Sequence, residues 1–525
     1  MRKFNVSALC MPEEDYMVDI TGKLQQIKAM IDKREYFTIN RGRQYGKTTT
    51  LFALEEFISD EYTVILLSFE GLGQEVFSSE KNFCSEFLNL IRDALELSGH
   101  GVDEYEKWEN ESVKDFSSLG RHIRQVCRDS TSKYVLMIDE VDKSSNNIIF
   151  LDFLSKLREK YIARKAKRDF TFHSVILAGV YDIKNIKLRL VQEGFHKPEF
   201  GETVINNSPW NIAADFDVSM SFSAPEIETM LAEYEKDYHT GMDISEIANE
   251  IHDYTNGYPV LVSRICKHID EMLGKIWNVE SVREAVKTML QEDTPLFQSL
   301  VKNLTSNVNL SDLVYKIIMA DLKVSFNLQD THVNLGYRYG FFKRDHNRVG
   351  IANKIFEMCL TNYFISQELH GRIKAIPLRV ADEEGVIVND GFNMQTCLEK
   401  FAKYYDEYYS NKDVKFIEKH GRYFFLFFIS SILNGSGFVH LESQSSDHKR
   451  RDVIVNFLDQ QFIIELKIWR GGKLHDKAFS QLLGYMDKRG LNEGYLLTFD
   501  FRQKKEQKQE WVEVGDGKRV FNVIV

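Results

Sequence analysis

The chain has 525 residues, 43% of them hydrophobic and 12% aromatic, with 7 Pro and 30 Gly; at roughly 150 residues per domain this is a chain of about three or four folded domains, neither disordered nor collagenous. The 67 Lys and Arg against 78 Asp and Glu leave a net charge of −11, which excludes a uniformly basic nucleic-acid coat but allows a local basic surface. Six scattered cysteines form no CxxC pair, so neither a zinc ribbon nor a disulfide framework is suggested, and with no apolar run near 20 residues and no signal-peptide core a soluble cytoplasmic protein without membrane contact is expected.

Residues 36–40, 63–69, 134–138 and 174–178 are short apolar runs separated by helical stretches, an order that predicts a parallel sheet flanked by helices. Arg41-Gly42-Arg43-Gln44-Tyr45-Gly46-Lys47-Thr48 joins the first run to a helix starting near Thr49. A nucleotide's phosphates suit that place: Gly42, Gly46 and the helix N-terminus offer backbone N–H groups, Lys47 a full positive charge, and the Thr48 hydroxyl a Mg²⁺ ligand, with Thr49 beside it. Arg41 stands where the strict pattern asks for Gly. The run 134–138 ends in Asp139-Glu140, where Asp139 suits Mg²⁺ and Glu140 suits polarising an attacking water for γ-phosphoryl transfer. Loop and carboxylates in this order predict binding of ATP or GTP; Asp142 reads as a solvated turn residue.

Residues 220–365 read as helices followed by two β-like runs around Lys343-Arg344-Asp345-His346-Asn347-Arg348, as in a winged helix. Periodicity weakens over 366–395, which predicts a linker. We therefore expect five segments: an ATPase core at 1–215, a helical lid at 216–290, a winged helix at 291–365, the linker, and a second α/β domain at 396–525.

The segments Arg2-Lys3-Phe4-Asn5, Pro12-Glu13-Glu14-Asp15-Tyr16 and Tyr36-Phe37-Thr38 leading into the phosphate loop resemble bacterial AAA-like ATPases related to the STAND and Orc-type NTPases. Ser208-Pro209-Trp210-Asn211-Ile212-Ala213 and the lid element Thr255-Asn256-Gly257-Tyr258-Pro259 agree. The resemblance covers about residues 1–365 and implies an ATPase core, lid and winged helix. It also places residues 16–19 near the adenine and leaves room for homo-oligomers. Tyr181 and Asp182 stand where a sensor residue is expected, and Arg164, Arg168 and Arg189 are open choices for an arginine finger.

In the last segment an apolar helix at 416–433 precedes strands at 437–442, 452–457 and 461–467, the last two joined as a hairpin that brings Asp452 across from Glu465 and Lys467. Burying such charge is costly unless it is paired or bound to metal; two carboxylates suit Mg²⁺, and Lys467 suits orienting or deprotonating a water. With Gln481-Leu482-Leu483-Gly484-Tyr485 on the next helix and a strand at 494–499, this αβββαβ order is similar to the PD-(D/E)XK nuclease superfamily, although Arg451 replaces the Pro and only Glu418 offers a first-helix acid. Residues 445–510 carry 13 Lys and Arg, among them Lys449, Arg450, Arg451, Arg470, Lys473 and Lys477, against 10 Asp and Glu, a balance that suits a phosphate backbone. The resemblance implies an ATP-dependent Mg²⁺ nuclease acting on DNA, in defence against foreign DNA or mobile elements. A nucleotide-dependent switch whose last domain binds nucleic acid or a partner without cleaving is the alternative, and a pure ATPase motor or scaffold the third reading.

Overall fold

The structure is a computed structural model and describes residues 2–141, 147–179, 210–319, 322–372, 385–389, 391–409, 424–426, 428–430, 432–433, 437–443, 451–458, 460–469, 472–500, 508–515 and 517–525. Two compact units result: Met1–Glu292 with Asn334–Gly340, and Asp293–Val333 with Phe341–Val525.

The first unit is built on four parallel strands, β1 (Tyr36–Asn40), β2 (Thr63–Ser68), β3 (Tyr134–Asp139) and β4 (Ser174–Gly179), in the order β1-β4-β3-β2. A parallel bridge from Phe37 to Ala214 adds a further chain segment outside β1. The runs are apolar almost throughout because helices cover both faces of the sheet. Alternate residues sort to the two sides. Phe37, Ile39, Val135 and Met137 pack with α1 (Thr21–Asp32) and α2 (Lys47–Ile58). Tyr36, Leu136, Ile138 and Val175 pack with the aromatic-rich α3 (Glu80–Leu97), α4 (Phe116–Asp129) and α5 (Ile148–Lys165).

Four helices follow: α6 (Ala224–Tyr238), α7 (Ile244–Thr255), α8 (Pro259–Glu271) and α9 (Val279–Gln291). Their boundaries are written locally. Ser223 and Glu226 form a capping box at α6, Asp243 caps α7, and Pro259 opens α8 where its missing N–H costs nothing.

In the second unit α10 (Pro295–Thr305) and α11 (Val308–Met319) precede the hairpin β5 (Phe342–Asp345) and β6 (Arg348–Ile351), and Ser325 makes an isolated antiparallel bridge to Arg348. A helix α12 (Thr331–Arg338) lies between α11 and β5 in sequence, its residues from Asn334 on belonging to the first unit. The expected linker is shorter than read. Helix α13 (Lys354–Arg372) enters it from one side, and the hairpin β7 (Ile387–Val388) and β8 (Gly391–Phe392) with α14 (Met394–Tyr409) occupies the other. Phe392 packs on Phe457 and Phe462, and its N–H donates to the Gln460 carboxamide, so apolar side chains order a stretch whose periodicity is poor.

The C-terminal sheet has six strands in the order β13-β14-β12-β11-β10-β9. Strands β9 (Gly437–Ser443), β10 (Arg451–Phe457) and β11 (Gln460–Ile468) form an antiparallel meander. Helix α15 (Gly472–Arg489) then leads to β12 (Glu493–Phe499), parallel to β11. To the expected αβββαβ order the structure adds β13 (Lys508–Gly515) and β14 (Lys518–Ile524), with β14 parallel to β12. Ile454, Ile463, Leu496 and Val520 meet Leu482 and Met486 of α15 on one face, while Phe499 meets Phe401 and Tyr405 of α14 on the other.

Candidate functional site

The loop after β1 closes on itself. Gly46 caps α2 in the left-handed region at φ +74°, which Gly adopts without cost, and Gln44 holds φ +56° without that advantage. Lys47, the first residue of α2, is buried, and its ammonium donates to the carbonyls of Arg41 (3.2 Å) and Gly42 (3.1 Å). Beside it the Thr48 hydroxyl donates to Asp139 Oδ2 at 2.6 Å, so the end of β3 reaches the start of α2 although β4 lies between the two strands. A hydroxyl and a carboxylate side by side at a helix N-terminus are the hard oxygens that Mg²⁺ takes. Glu140 follows in the left-handed region at φ +53°, with its N–H donating to Asp139 Oδ1 at 2.8 Å. Backbone held there costs of order 1–3 kcal/mol and persists where the surroundings fix it. Thr48, next to Lys47 in the chain, and Asp139, next to Glu140, are thus brought together. Thr49 instead accepts from the Cys10 N–H at 3.3 Å, tying the N-terminal segment to α2.

Arg41 does not face the phosphates. Its guanidinium donates to the Val218 carbonyl (3.2 Å) and to its own neighbour Asn40 (2.9 Å), and lies over the Phe216 ring at 5.6 Å. A long side chain at this position therefore anchors the loop to the segment leading into the lid. Sequence reasoning missed this anchor, and also Tyr45 and Tyr258: the Tyr45 hydroxyl meets Ser221 Oγ at 2.6 Å, and that of Tyr258 donates to the Arg43 carbonyl at 2.5 Å. The Gly-Tyr-Pro element was the available signal. Gly257 has φ +70°, and a Cβ there would stand 1.8 Å from the Phe222 carbonyl oxygen, so only Gly fits.

Next to the loop lies a pocket lined by Ser7, Ala8, Tyr16 to Val18, Gln44 to Gly46, Met230 and Pro259. The segment expected near the adenine is part of its wall. Tyr16 is also a packing residue: its ring meets Phe4 at a tilt and Tyr234 edge-on, each at 5.1 Å, and its hydroxyl donates to Asp237 at 2.7 Å. Asp19 accepts from the Thr21 N–H at the start of α1. The Arg164 guanidinium is held by backbone. It donates to the carbonyls of Arg34 and His173 (each 2.7 Å), ahead of β1 and β4, at the opposite end of the sheet from the phosphate loop. Arg168 is exposed past the end of α5. Asp142, Tyr181, Asp182, Arg189, Ser208 and Pro209 lie outside the described residues.

In the C-terminal sheet the pairing of β10 with β11 ends at Val453 and Ile464, one residue before Asp452 and Glu465, and Asp452 itself pairs with Glu442 of β9. Glu465 (1% exposed) and Lys467 (8%) form an ion pair on the face that carries α15. Parallel pairing sets Thr498 of β12 beside Lys467, and Asn522 of β14 beside Leu496, itself paired with Glu465. Both side chains are buried, and the Thr498 hydroxyl and the Asn522 carboxamide oxygen have no partner among the described residues. This polar strip in an apolar sheet extends further than the Glu465-x-Lys467 triplet suggests. Gln481 is half-buried on α15, one residue before Leu482, which packs on the same sheet face. Among the described residues no three His, Cys, Asp or Glu side chains cluster as a metal site. Glu418, Lys449, Arg450 and Arg470 lie outside the described residues, as do the side chains of Asp452, Arg451, Lys473 and Lys477.

A parallel sheet in this strand order, with a phosphate-type loop and helix after its first strand and a carboxylate pair after its third, defines a P-loop ATPase-like core. Residues 16–364 match the family described as AAA-like domain, and the chain belongs to that family. No curated protein matches it. Among solved structures, a Walker-type ATPase of Pyrococcus abyssi is similar at 10% identity and a TM-score of 0.46, over 68% of this chain and 99% of its own. The Aeropyrum pernix ORC2 protein, in ADPNP–ADP complexes, is similar at 12% identity and a TM-score of 0.36, over 66% and 94%. For Cdc6p from Pyrobaculum aerophilum the values are 15% and 0.30, over 69% and 97%. Among the described residues no helix is long and apolar enough to cross a membrane.

Proposed function

We propose that the first unit binds and hydrolyses ATP and that this cycle governs a Mg²⁺-dependent DNA nuclease in the C-terminal domain. The observation that carries the first half is the Thr48 hydroxyl on Asp139 with Glu140 next in the chain. Lys47 and the backbone N–H groups from Gly42 to Thr48 bind the phosphates, and Thr49 lines the pocket beside them. Thr48 and Asp139 would hold Mg²⁺, which when bound neutralises phosphate charge. Glu140 draws the proton of the attacking water toward its carboxylate as that water approaches the γ-phosphorus.

What supports the nuclease half is the buried Glu465–Lys467 pair on β11, beside β10, the strand that carries Asp452. Asp452 and Glu465 would hold Mg²⁺; Lys467 orients the attacking water and offsets charge on the phosphodiester, and Gln481 positions them. Foreign or mobile DNA as the substrate follows from the resemblance alone. The test is incubation of the purified chain with linear, circular and single-stranded DNA, with and without ATP and Mg²⁺. Cleavage that Asp452→Ala abolishes, while ATP hydrolysis continues, is expected. Cleavage at the same rate in an Asp452→Ala, Lys467→Ala double variant would assign the nuclease elsewhere and leave the switch reading.

A further inference from the structure

We propose that Tyr258, on the lid side of the loop, is a positioning residue for phosphate binding: its hydroxyl fixes the Arg43–Gln44 peptide so that the Gln44 N–H faces the nucleotide. This rests on the nucleotide reading of the same loop. In a trans peptide the C=O and N–H point to opposite sides. The Tyr258 hydroxyl holds the Arg43 carbonyl on its own side at 2.5 Å, which turns the next N–H to the side away from Tyr258, in the loop whose Arg41 and Gly42 carbonyls accept from the Lys47 ammonium. Among the described residues no group accepts from the Gln44 N–H. It is a donor held ready at a residue whose left-handed backbone, φ +56°, must be maintained by something outside it.

The position of the hydroxyl is itself fixed. The Tyr258 ring stands edge-on to Tyr45 at 4.4 Å, and the Tyr45 hydroxyl is bonded to Ser221. Gly257 before it is locked against Phe222, whose N–H donates to the Gly257 carbonyl at 2.8 Å, and Pro259 after it begins α8. Burial holds the Tyr258 pKa well above the ordinary phenol range, so the group remains a donor at any working pH.

The experiment is a calorimetric titration of the full chain and Tyr258→Phe with ADP and with AMP, which lacks the β-phosphate. Loss of one oriented donor predicts ADP binding weaker by about five- to tenfold, with AMP binding changed less than twofold. A wild-type chain that binds no ADP removes the nucleotide reading, and this inference with it. If the wild type binds ADP and Tyr258→Phe matches it within twofold, or loses AMP affinity by the same factor, the inference alone is overturned. Amide exchange in the wild type gives a measurement free of any folding defect: ADP is expected to protect the amide at Gln44, and unchanged exchange on saturation with ADP overturns the proposal.

Discussion

Lys467→Met separates the charge of the C-terminal site from its volume. In the native chain Glu465 is 1% exposed and Lys467 8%, and the two are paired. Removing the ammonium leaves a carboxylate out of reach of water, and breaking a buried pair from one side typically costs about 3–5 kcal/mol. At about 2–4 °C per kcal/mol for a unit of this size, the transition of the second unit should fall by roughly 6–20 °C in metal-free buffer. Calorimetry of the full chain resolves this, because ADP added to saturation moves only the transition of the nucleotide-binding unit. Millimolar Mg²⁺ should recover part of the loss, since a cation again faces Glu465. A second-unit transition within about 1 °C of wild type would refute the reasoning, for it would mean that Glu465 is either solvated or protonated without its lysine.

Gly257→Ala forces a left-handed Ala, costing about 1–2 kcal/mol, and drives its Cβ into the Phe222 carbonyl; the Phe222–Gly257 hydrogen bond should break and ATP hydrolysis should fall, whereas wild-type melting and turnover would contradict the fit. His173 is held neutral by burial, its pKa lowered to about 4 from 6.5, beside the Tyr62 ring at 5.0 Å. Between those values the unfolded chain binds more protons than the folded one, so this residue's contribution is intact above pH 6.5 and is lost as pH falls toward 4. Melting curves over that window should therefore slope less in His173→Gln than in wild type, and parallel slopes would refute the assignment.

Much of the first unit is legible because its chemistry and its periodicity coincide. Apolar runs of five or six residues read as buried parallel strands, Lys47-Thr48 open the helix after the first of them and Asp139-Glu140 stand at the end of the third. What could not be read is long-range and polar. Nothing local says that Arg41 reaches Val218, that Tyr258 reaches Arg43, or that Arg164 sits at the far end of the sheet. In the C-terminal domain the pairing of β10 with β11 follows from a short hairpin, whereas Thr498 and Asn522 reach the face of Glu465 and Lys467 through parallel pairing of β11, β12 and β14, which no sequence-local pattern reveals. At the C-terminal end of the expected linker, Phe392 contributes order through packing on Phe457 and Phe462 and not through periodicity.

The central claim is that the loop at 41–48 and the carboxylates at 139–140 form one ATP site, and the most direct measurement is a paired titration with ATP and Mg²⁺ of Lys47→Ala and Glu140→Gln. Lys47→Ala should bind ATP at least about a hundredfold more weakly, having lost the buried ammonium. Glu140→Gln should bind ATP like wild type while hydrolysing it at least about a hundredfold more slowly, having lost the group that draws off the water's proton. Wild-type affinity in Lys47→Ala, or wild-type turnover in Glu140→Gln, would contradict the account.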